Sequence, residues 1–311
     1  MRIVFFGTPG FAVPSLDALM DSGHDIIAVV TQPDRRSGRG RRLVPSPVKE
    51  RALQAGLRIF QPVRVGDDDF INDLKRLAPS AIIVVAYGQL LPKDIIDLPI
   101  RGCINVHASL LPQYRGAAPI NWAVLKGEKI TGITTMLMDE GMDTGPVLLK
   151  KEVVIREEET AGSLADSLSG TGAEILIRTL EMVELGGIKP VPQSGEVSYA
   201  PQLRKSDGLI RWSRPAEELF NLIRGTNPWP GAYTFLERER IKILKAFPID
   251  GEGEDGIIIK ASKSDLLVGT GTGLLSVLEV QRPGRPAAGI KAFLQGRRLL
   301  EGMRFYEEPG N

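Results

Sequence analysis

Arg101-Gly-Cys-Ile-Asn-Val-His-Ala-Ser-Leu-Leu-Pro-Gln-Tyr-Arg-Gly116 is the stretch on which the reading of this chain turns. It opens as a short apolar run and breaks at Ser109-Leu-Leu-Pro112, a loop-forming sequence. Read as a strand over 103–107, it puts Asn105 and His107 two residues apart and therefore on one face. An amide and an imidazole then stand together near the carboxyl end of a strand, the edge at which open α/β sheets bind ligands.

The chain holds only two histidines, His24 and His107, so an imidazole-dependent step has few candidates. Carboxylates follow in Met138-Asp-Glu-Gly-Met-Asp143-Thr-Gly145, a Gly-rich turn. Asn, His and Asp together are sufficient for acyl transfer without a covalent intermediate. The amide holds a carbonyl oxygen, the imidazole stabilises the developing oxyanion, and the carboxylate fixes and tunes the imidazole. Composition alone leaves Asp139 and Asp143 as equal candidates for the third role.

Around this stretch the chain alternates strand-like and helix-like segments. Arg2–Phe6 reads as a buried strand, Gly7-Thr-Pro-Gly10 as a turn, and Phe11–Ser22 as a helix with Leu16, Leu19 and Met20 on its apolar face. The opening imitates a dinucleotide fingerprint, but Pro9 occupies the second glycine position and the next strand, Asp25–Val30, ends without an immediate acid, which argues against NAD. Helices are expected over 47–55 and 68–77, and strands over 57–60 and 81–86, where Ile82-Ile-Val-Val85 suits a strand covered on both faces. Tyr87-Gly-Gln-Leu-Leu-Pro92 leaves that strand as a backbone-lined loop able to receive a flat heterocycle. After a helix through Lys126, strands over 131–138 and 147–155 form an expected antiparallel pair, and a long helix runs from the N-cap Thr160 to about Leu185. The whole is a mostly parallel, doubly covered, Rossmann-like sheet.

Gly186–Pro201, with Pro190, Pro192 and Gly195, reads as a linker. Beyond it one helix near 215–225 precedes five short strand candidates between 232 and 280, a spacing that fits a small Greek-key barrel. Gly269-Thr-Gly-Thr-Gly273 imitates a phosphate loop but lies between two strands and reads as a hairpin turn. The expected division is 1–188, a linker at 189–203, and 204–311.

Bulk properties bound the function. At 311 residues, 42% hydrophobic and 25% charged, the chain has the makeup of a soluble globular protein of one or two domains. A net charge of +1 means that a polyanion must be met by a local patch. That patch is Asp34-Arg-Arg-Ser-Gly-Arg-Gly-Arg-Arg42, where Arg35, Arg36, Arg39, Arg41 and Arg42 lie among glycines in a loop too polar to bury itself and expected to be mobile. Its lone Cys103 excludes an internal disulfide and a cysteine-based zinc cluster. Neither a signal peptide nor a membrane-length apolar run is legible, so no membrane partner and a cytoplasmic location are expected.

Asn105-x-His107-x-Ser109-Leu-Leu-Pro112, then Tyr114-Arg-Gly116, then Asp139-x-Gly141-x-Asp143-Thr-Gly145 closely resembles the folate-dependent formyltransferases. The resemblance covers essentially the whole chain, including Pro45-Ser-Pro-Val-Lys49 and Asn227-Pro-Trp-Pro-Gly-Ala232, and is strongest to the branch that acts on charged tRNA. It implies the formyltransferase α/β fold followed by an OB-like β-barrel domain that binds tRNA. It also implies Asn105, His107 and Asp143 as the catalytic triplet, and Ser109, Leu110, Leu111 and Pro112 as a tetrahydrofolate-binding loop, with Tyr87, Gly88, Gln89 and Leu90 beside it. The co-substrate implied is 10-formyltetrahydrofolate, the acceptor the α-amine of initiator Met-tRNA, and no metal. The five arginines become tRNA contacts, and a monomer is the expected state. Two other readings remain at this point: a formyltransferase for a sugar-nucleotide or small phosphorylated amine, and a non-catalytic RNA-binding protein on the same scaffold.

Overall fold

The structure is a computed structural model that describes residues 1–37, 42–262, 264–297 and 299–309. Backbone contacts divide it into two compact units. The first comprises Met1–Pro119, Ile130–Val154 and Ala165–Pro201, and the second Ile120–Lys129, Ile155–Leu164 and Gln202–Asn311.

In the first half of the chain the strands are β1 (Arg2–Gly7), β2 (Asp25–Val30), β3 (Arg35–Ser37), β4 (Arg42–Val44), β5 (Ile59–Phe60), β6 (Ala81–Val85), β7 (Cys103–His107), β8 (Ile130–Leu137) and β9 (Val147–Val154). The helices are α1 (Val13–Asp21), α2 (Pro47–Gln54), α3 (Asp68–Leu77), α4 (Lys93–Ile96), α5 (Pro119–Leu125) and α6 (Ala161–Glu184). One seven-stranded sheet has the order β5-β2-β1-β6-β7-β8-β9. Its members from β5 to β7 are parallel, and β8 and β9 are antiparallel, as the alternation and the hairpin at 131–155 predict. The order reverses between β1 and β6, so their carboxyl ends flank the crevice of a doubly wound sheet.

The strands read as continuous apolar runs because both faces are covered. On one face Val4, Phe6, Ile82, Val84 and Cys103 pack with Phe70, Ile71 and Leu74 of α3 and Ile95 and Ile96 of α4. On the other, Gly172 of α6 lets Val106 approach so closely that an added Cβ would meet it at 3.2 Å. Thr179 of the same helix meets Thr135 of β8 through their hydroxyls at 2.8 Å.

The reading of the Arg-rich stretch from Asp34 as an irregular loop needs correction at its two arms. Arg35–Ser37 and Arg42–Val44 form an antiparallel ladder, Arg35 facing Val44 and Arg36 facing Leu43. A hairpin draws on backbone groups alone, which a criterion of apolar burial overlooks. Arg39 and Arg41 lie outside the described residues.

In the second unit α7 (Ala216–Gly225) is followed by β10 (Tyr233–Leu236), β11 (Glu239–Ile249), β12 (Ile258–Ala261), β13 (Leu266–Gly269), β14 (Leu274–Gln281), β15 (Ala287–Gly289), α8 (Ile290–Gly296) and β16 (Phe305–Tyr306). The antiparallel order β12-β13-β14-β11-β10-β16 curls into a half-barrel. Its two ends approach through backbone bonds, Ile258 N to Met303 O and Phe305 N to Gly256 O, each 2.8 Å. Trp212 anchors the core, stacked on Phe305 and donating its indole N–H to Thr234 Oγ1 at 3.0 Å. Gly269–Gly273 is the β13–β14 hairpin turn, as read.

Candidate active site

Register on β7 sets the chemistry. Ile104 and Val106 face α6, so Asn105 and His107 project to the opposite side, both under 10% exposed. The β8–β9 connection brings Asp143 to them. Its Oδ1 lies 3.5 Å from Asn105 Nδ2 and 3.6 Å from His107 Nδ1, and its Oδ2 accepts the Gly116 N–H at 2.8 Å. Asp143 holds this position with φ +54°, a left-handed conformation that Asp tolerates better than most residues.

His107 Nε2 lies 3.0 Å from the Tyr114 carbonyl. A carbonyl only accepts, so Nε2 carries a proton, and Nδ1 is left facing the carboxylate and the amide. Asp139, the other candidate, is exposed and occupied in its own turn, accepting from Gly141 N at 3.1 Å and from Thr144 Oγ1 at 2.6 Å. The glycines of that turn are steric requirements: a Cβ on Gly145 would lie 1.8 Å from Leu137 O.

The Ser109–Pro112 loop begins at the end of β7 and is tied down from beneath. Thr134 Oγ1 donates to Ser109 O at 2.7 Å and accepts from Leu111 N at 3.1 Å, while Ser109 Oγ donates to Gln113 O at 2.6 Å. Lys150 Nζ donates to Leu111 O. Ser109 and Leu111 are fully buried, and Leu110 lies over Gly132. Thr134 and Lys150 were not legible as site residues, because their role depends on strand pairing across the sheet.

At the end of β6, Tyr87 turns its ring into the core, edge-on to Phe6 at 5.1 Å, with its hydroxyl unpartnered and burial pushing its pKa up to about 12. Only its backbone faces the crevice, where the carbonyl accepts from Thr8 Oγ1 at 2.8 Å and from Gln32 Nε2 at 3.4 Å. Gly88 follows with φ +91°, Gln89 bonds Val65 N at 3.0 Å, and Leu90 is exposed. Cys103 is buried with its thiol pushed up to about 12 by desolvation.

Arg35 and Arg36 are exposed on the hairpin arm, and Arg42 contributes its backbone to the ladder. The foot of the hairpin is fixed by Asp34, which binds Lys49 Nζ at 2.7 and 2.8 Å and Gln61 Nε2 at 2.8 Å. The Lys49 hydrogen bond holds that carboxyl below its usual range. β2 lies three strand spacings from β7, roughly 14 Å, on the same carboxyl edge. The described arms therefore rise from the triplet's edge of the sheet without sharing its strand.

The segment expected as a linker runs along the site. Ser198 O accepts from Arg115 N at 2.9 Å and Arg115 O accepts from Ala200 N at 2.7 Å, while Val191 and Val147 exchange two bonds of 2.8 Å. Gln193 reaches from it to the Asp143 turn, a contact that sequence reading missed. Among the described residues no group of three or more His, Cys, Asp or Glu is placed to hold a metal, and no helix is long and apolar enough to cross a membrane.

Residues 1–180 match the formyl transferase family and residues 202–298 the formyl transferase C-terminal domain. A methionyl-tRNA formyltransferase from Thermodesulfovibrio yellowstonii is 54% identical over 97% of each chain. Among solved structures, the sugar 3N-formyl transferase WlaRD, determined with dTDP and 5-N-formyl-THF, superposes with a TM-score of 0.69 at 18% identity, over 92% of this chain and 99% of that one. The methionyl-tRNA formyltransferase of Clostridium thermocellum does so with a TM-score of 0.56 at 17% identity, over 81% and 95%. At such identities the structural matches speak to the fold, whereas the full-length match at 54% speaks to descent: the chain belongs to the methionyl-tRNA formyltransferase family.

Proposed function

We propose that the chain transfers the formyl group of 10-formyltetrahydrofolate to the α-amine of methionine on initiator tRNA, with Asn105, His107 and Asp143 as the catalytic triplet. As a member of its family the chain is a formyltransferase acting on methionyl-tRNA. The observation that carries the residue assignment is the convergence of one carboxylate oxygen, Asp143 Oδ1, on Asn105 Nδ2 and His107 Nδ1 at 3.5 and 3.6 Å.

In this reading the amine lone pair attacks the formyl carbon, and the carbonyl π pair moves to the oxygen. Asn105 and His107 hold that oxygen as it becomes an oxyanion, an interaction worth most where water is excluded. Asp143 keeps the imidazole oriented, its Oδ1 lying 3.6 Å from Nδ1. The amine's proton leaves through water near Asp143, the oxyanion's pair re-forms the carbonyl as the bond from the formyl carbon to the folate nitrogen breaks, and that nitrogen keeps the bonding pair and takes a proton. The buried Ser109–Pro112 loop and the open backbone at Gly88 line the side from which a flat heterocycle would approach.

We assign residues 1–188 to catalysis and 204–311 to tRNA binding, with Arg35, Arg36, Arg39, Arg41 and Arg42 as contacts to phosphate. A sugar-nucleotide acceptor is disfavoured by the 54% identity, over nearly the full length, to a methionyl-tRNA formyltransferase. The test is formyl transfer from 10-formyltetrahydrofolate to charged initiator tRNA, with elongator Met-tRNA and a dTDP-amino sugar as competing acceptors. Preference for either competitor would refute the assignment.

A further inference from the structure

Two loops must stay in register for the triplet to exist: the turn that carries Asp143 and the segment 112–116, which supplies the Tyr114 carbonyl and the Gly116 N–H. Neither belongs to a regular element. What joins them is the strap 191–200. Along one side it bonds to 112–118, through Ser198 and Ala200, and Ser198 Oγ accepts the Tyr114 N–H at 2.9 Å. From the same strap, Gln193 points to the other loop.

All the hydrogen-bonding capacity of Gln193 is used. Its Nε2 donates to Asp143 O at 2.7 Å and to Gly145 O at 2.9 Å. Its Oε1 accepts from Arg115 Nε at 3.1 Å and from the same guanidinium's terminal nitrogen at 2.6 Å. A flipped amide would set NH₂ against guanidinium donors and oxygen against two carbonyls, so the orientation is unambiguous. Arg115 sits between Tyr114, which holds His107 Nε2, and Gly116, which holds Asp143 Oδ2. One amide thus couples the loop that orients the imidazole to the loop that carries the carboxylate.

We propose that Gln193 is a positioning residue for formyl transfer: by bridging the Arg115 guanidinium to the Asp143 and Gly145 carbonyls it holds the strained Asp143 turn against His107. This rests on the triplet assigned above. Asp143 lies at φ +54°, and without both carbonyls held the turn has an incentive to relax. Rotation of the carboxylate by about 1 Å is enough to cost on the order of a hundredfold in rate.

The test uses two length-matched replacements that cannot donate to the carbonyls, Gln193→Glu and Gln193→Met, in the full chain. Asp143→Ala is the reference. Single-turnover formylation of Met-tRNA is measured together with KM for tRNA and for folate, thermal stability, and the ring NMR signals of the two histidines. The expected result is a kcat lowered roughly 10- to 100-fold, with each KM within about threefold and His107 signals displaced while those of His24 stay in place. Should the charged variant fail to fold, the neutral Met variant decides alone. Normal kcat with an inactive Asp143→Ala overturns the role of Gln193 and leaves the triplet standing. Lost stability with raised KM and an unmoved His107 signal overturns it in favour of a merely structural strap. Full activity of Asp143→Ala removes the triplet reading, and this inference with it.

Discussion

Gly116→Ala is the perturbation that the geometry judges most severely. Gly116 has φ +118°, and a Cβ there would lie 2.8 Å from the Ala200 carbonyl oxygen, which belongs to the strap and is itself bonded to Ala118 N at 3.1 Å. The left-handed backbone alone costs an alanine about 1–2 kcal/mol. To reach an ordinary contact of 3.4 Å the residue must retreat by about 0.6 Å. That motion stretches the 2.8 Å bond from its N–H to Asp143 Oδ2, a charge-assisted bond worth about 1.5–3 kcal/mol. Gly195 is the control: its φ is +106°, but nothing lies within 4 Å of its Cβ position. Gly195→Ala should therefore lose about 1–2 kcal/mol of stability and keep its kcat. Gly116→Ala should lose more stability, and its kcat should fall roughly 10- to 100-fold as the carboxylate drifts. Urea unfolding and single-turnover formylation of Met-tRNA separate the two effects. A Gly116→Ala enzyme with normal kcat would show that the Gly116–Asp143 bond is dispensable, and the reasoning would fail.

If Asn105 and His107 both hold the oxyanion as proposed, Asn105→Ala or His107→Ala should lower kcat by roughly 10²–10³, with the double variant less than additive because both would act on one transition state; additive losses in single turnover would separate their roles. Replacing Arg35, Arg36, Arg39, Arg41 and Arg42 by Ala should raise KM for Met-tRNA and flatten the salt dependence by about 0.7–0.9 in log–log slope per lost phosphate contact; an unchanged slope would make the hairpin a bystander. The Cys103 thiol, pushed up to about 12, should be alkylated about a thousandfold more slowly in the native chain than in urea at the same pH, and equal rates would contradict its burial. Because its folded pKa is raised above the unfolded value of 9.0, its contribution to stability is complete below pH 9 and is lost as pH rises towards 12.

Where apolar patterning and strand pairing coincide, the sequence was enough. Ile82-Ile-Val-Val85 and 103–107 could be placed as buried parallel strands, and the runs flanking the Asp139–Gly145 turn as an antiparallel pair, because each signal is local. Residues 285–306 were not legible. β15, α8 and β16 are short, and β15 and β16 are fixed by pairing with β14 and β10 rather than by a pattern of their own. The ladder between Arg35–Ser37 and Arg42–Val44 escaped for the related reason that it is built from backbone groups, which polar side chains do not advertise.

The site divides along the same line. Asn105 and His107 follow from a two-residue period on one strand, but nothing in composition separates Asp139 from Asp143. The choice depends on where each carboxylate points after the turn closes, and the turn closes by consuming Asp139: Gly141 N and Thr144 Oγ1 bind it, leaving Asp143 at a left-handed φ and turned towards β7. The groups that complete the arrangement carry no side-chain signature, since the Tyr114 carbonyl and the Gly116 N–H are backbone atoms. Gln193 does carry one, but in a segment whose prolines and glycines say linker. A polar strap of that kind can stay put only if its hydrogen bonds are met by neighbours, and here those neighbours are the two loops that hold His107 and Asp143. With Nε2 of His107 committed to Tyr114, the ring nitrogen left on the side of Asp143 is Nδ1. On the assignment proposed above, the strap would thereby select the Nδ1 edge of the imidazole for the formyl oxygen, because the Nε2 edge is already held by the Tyr114 carbonyl.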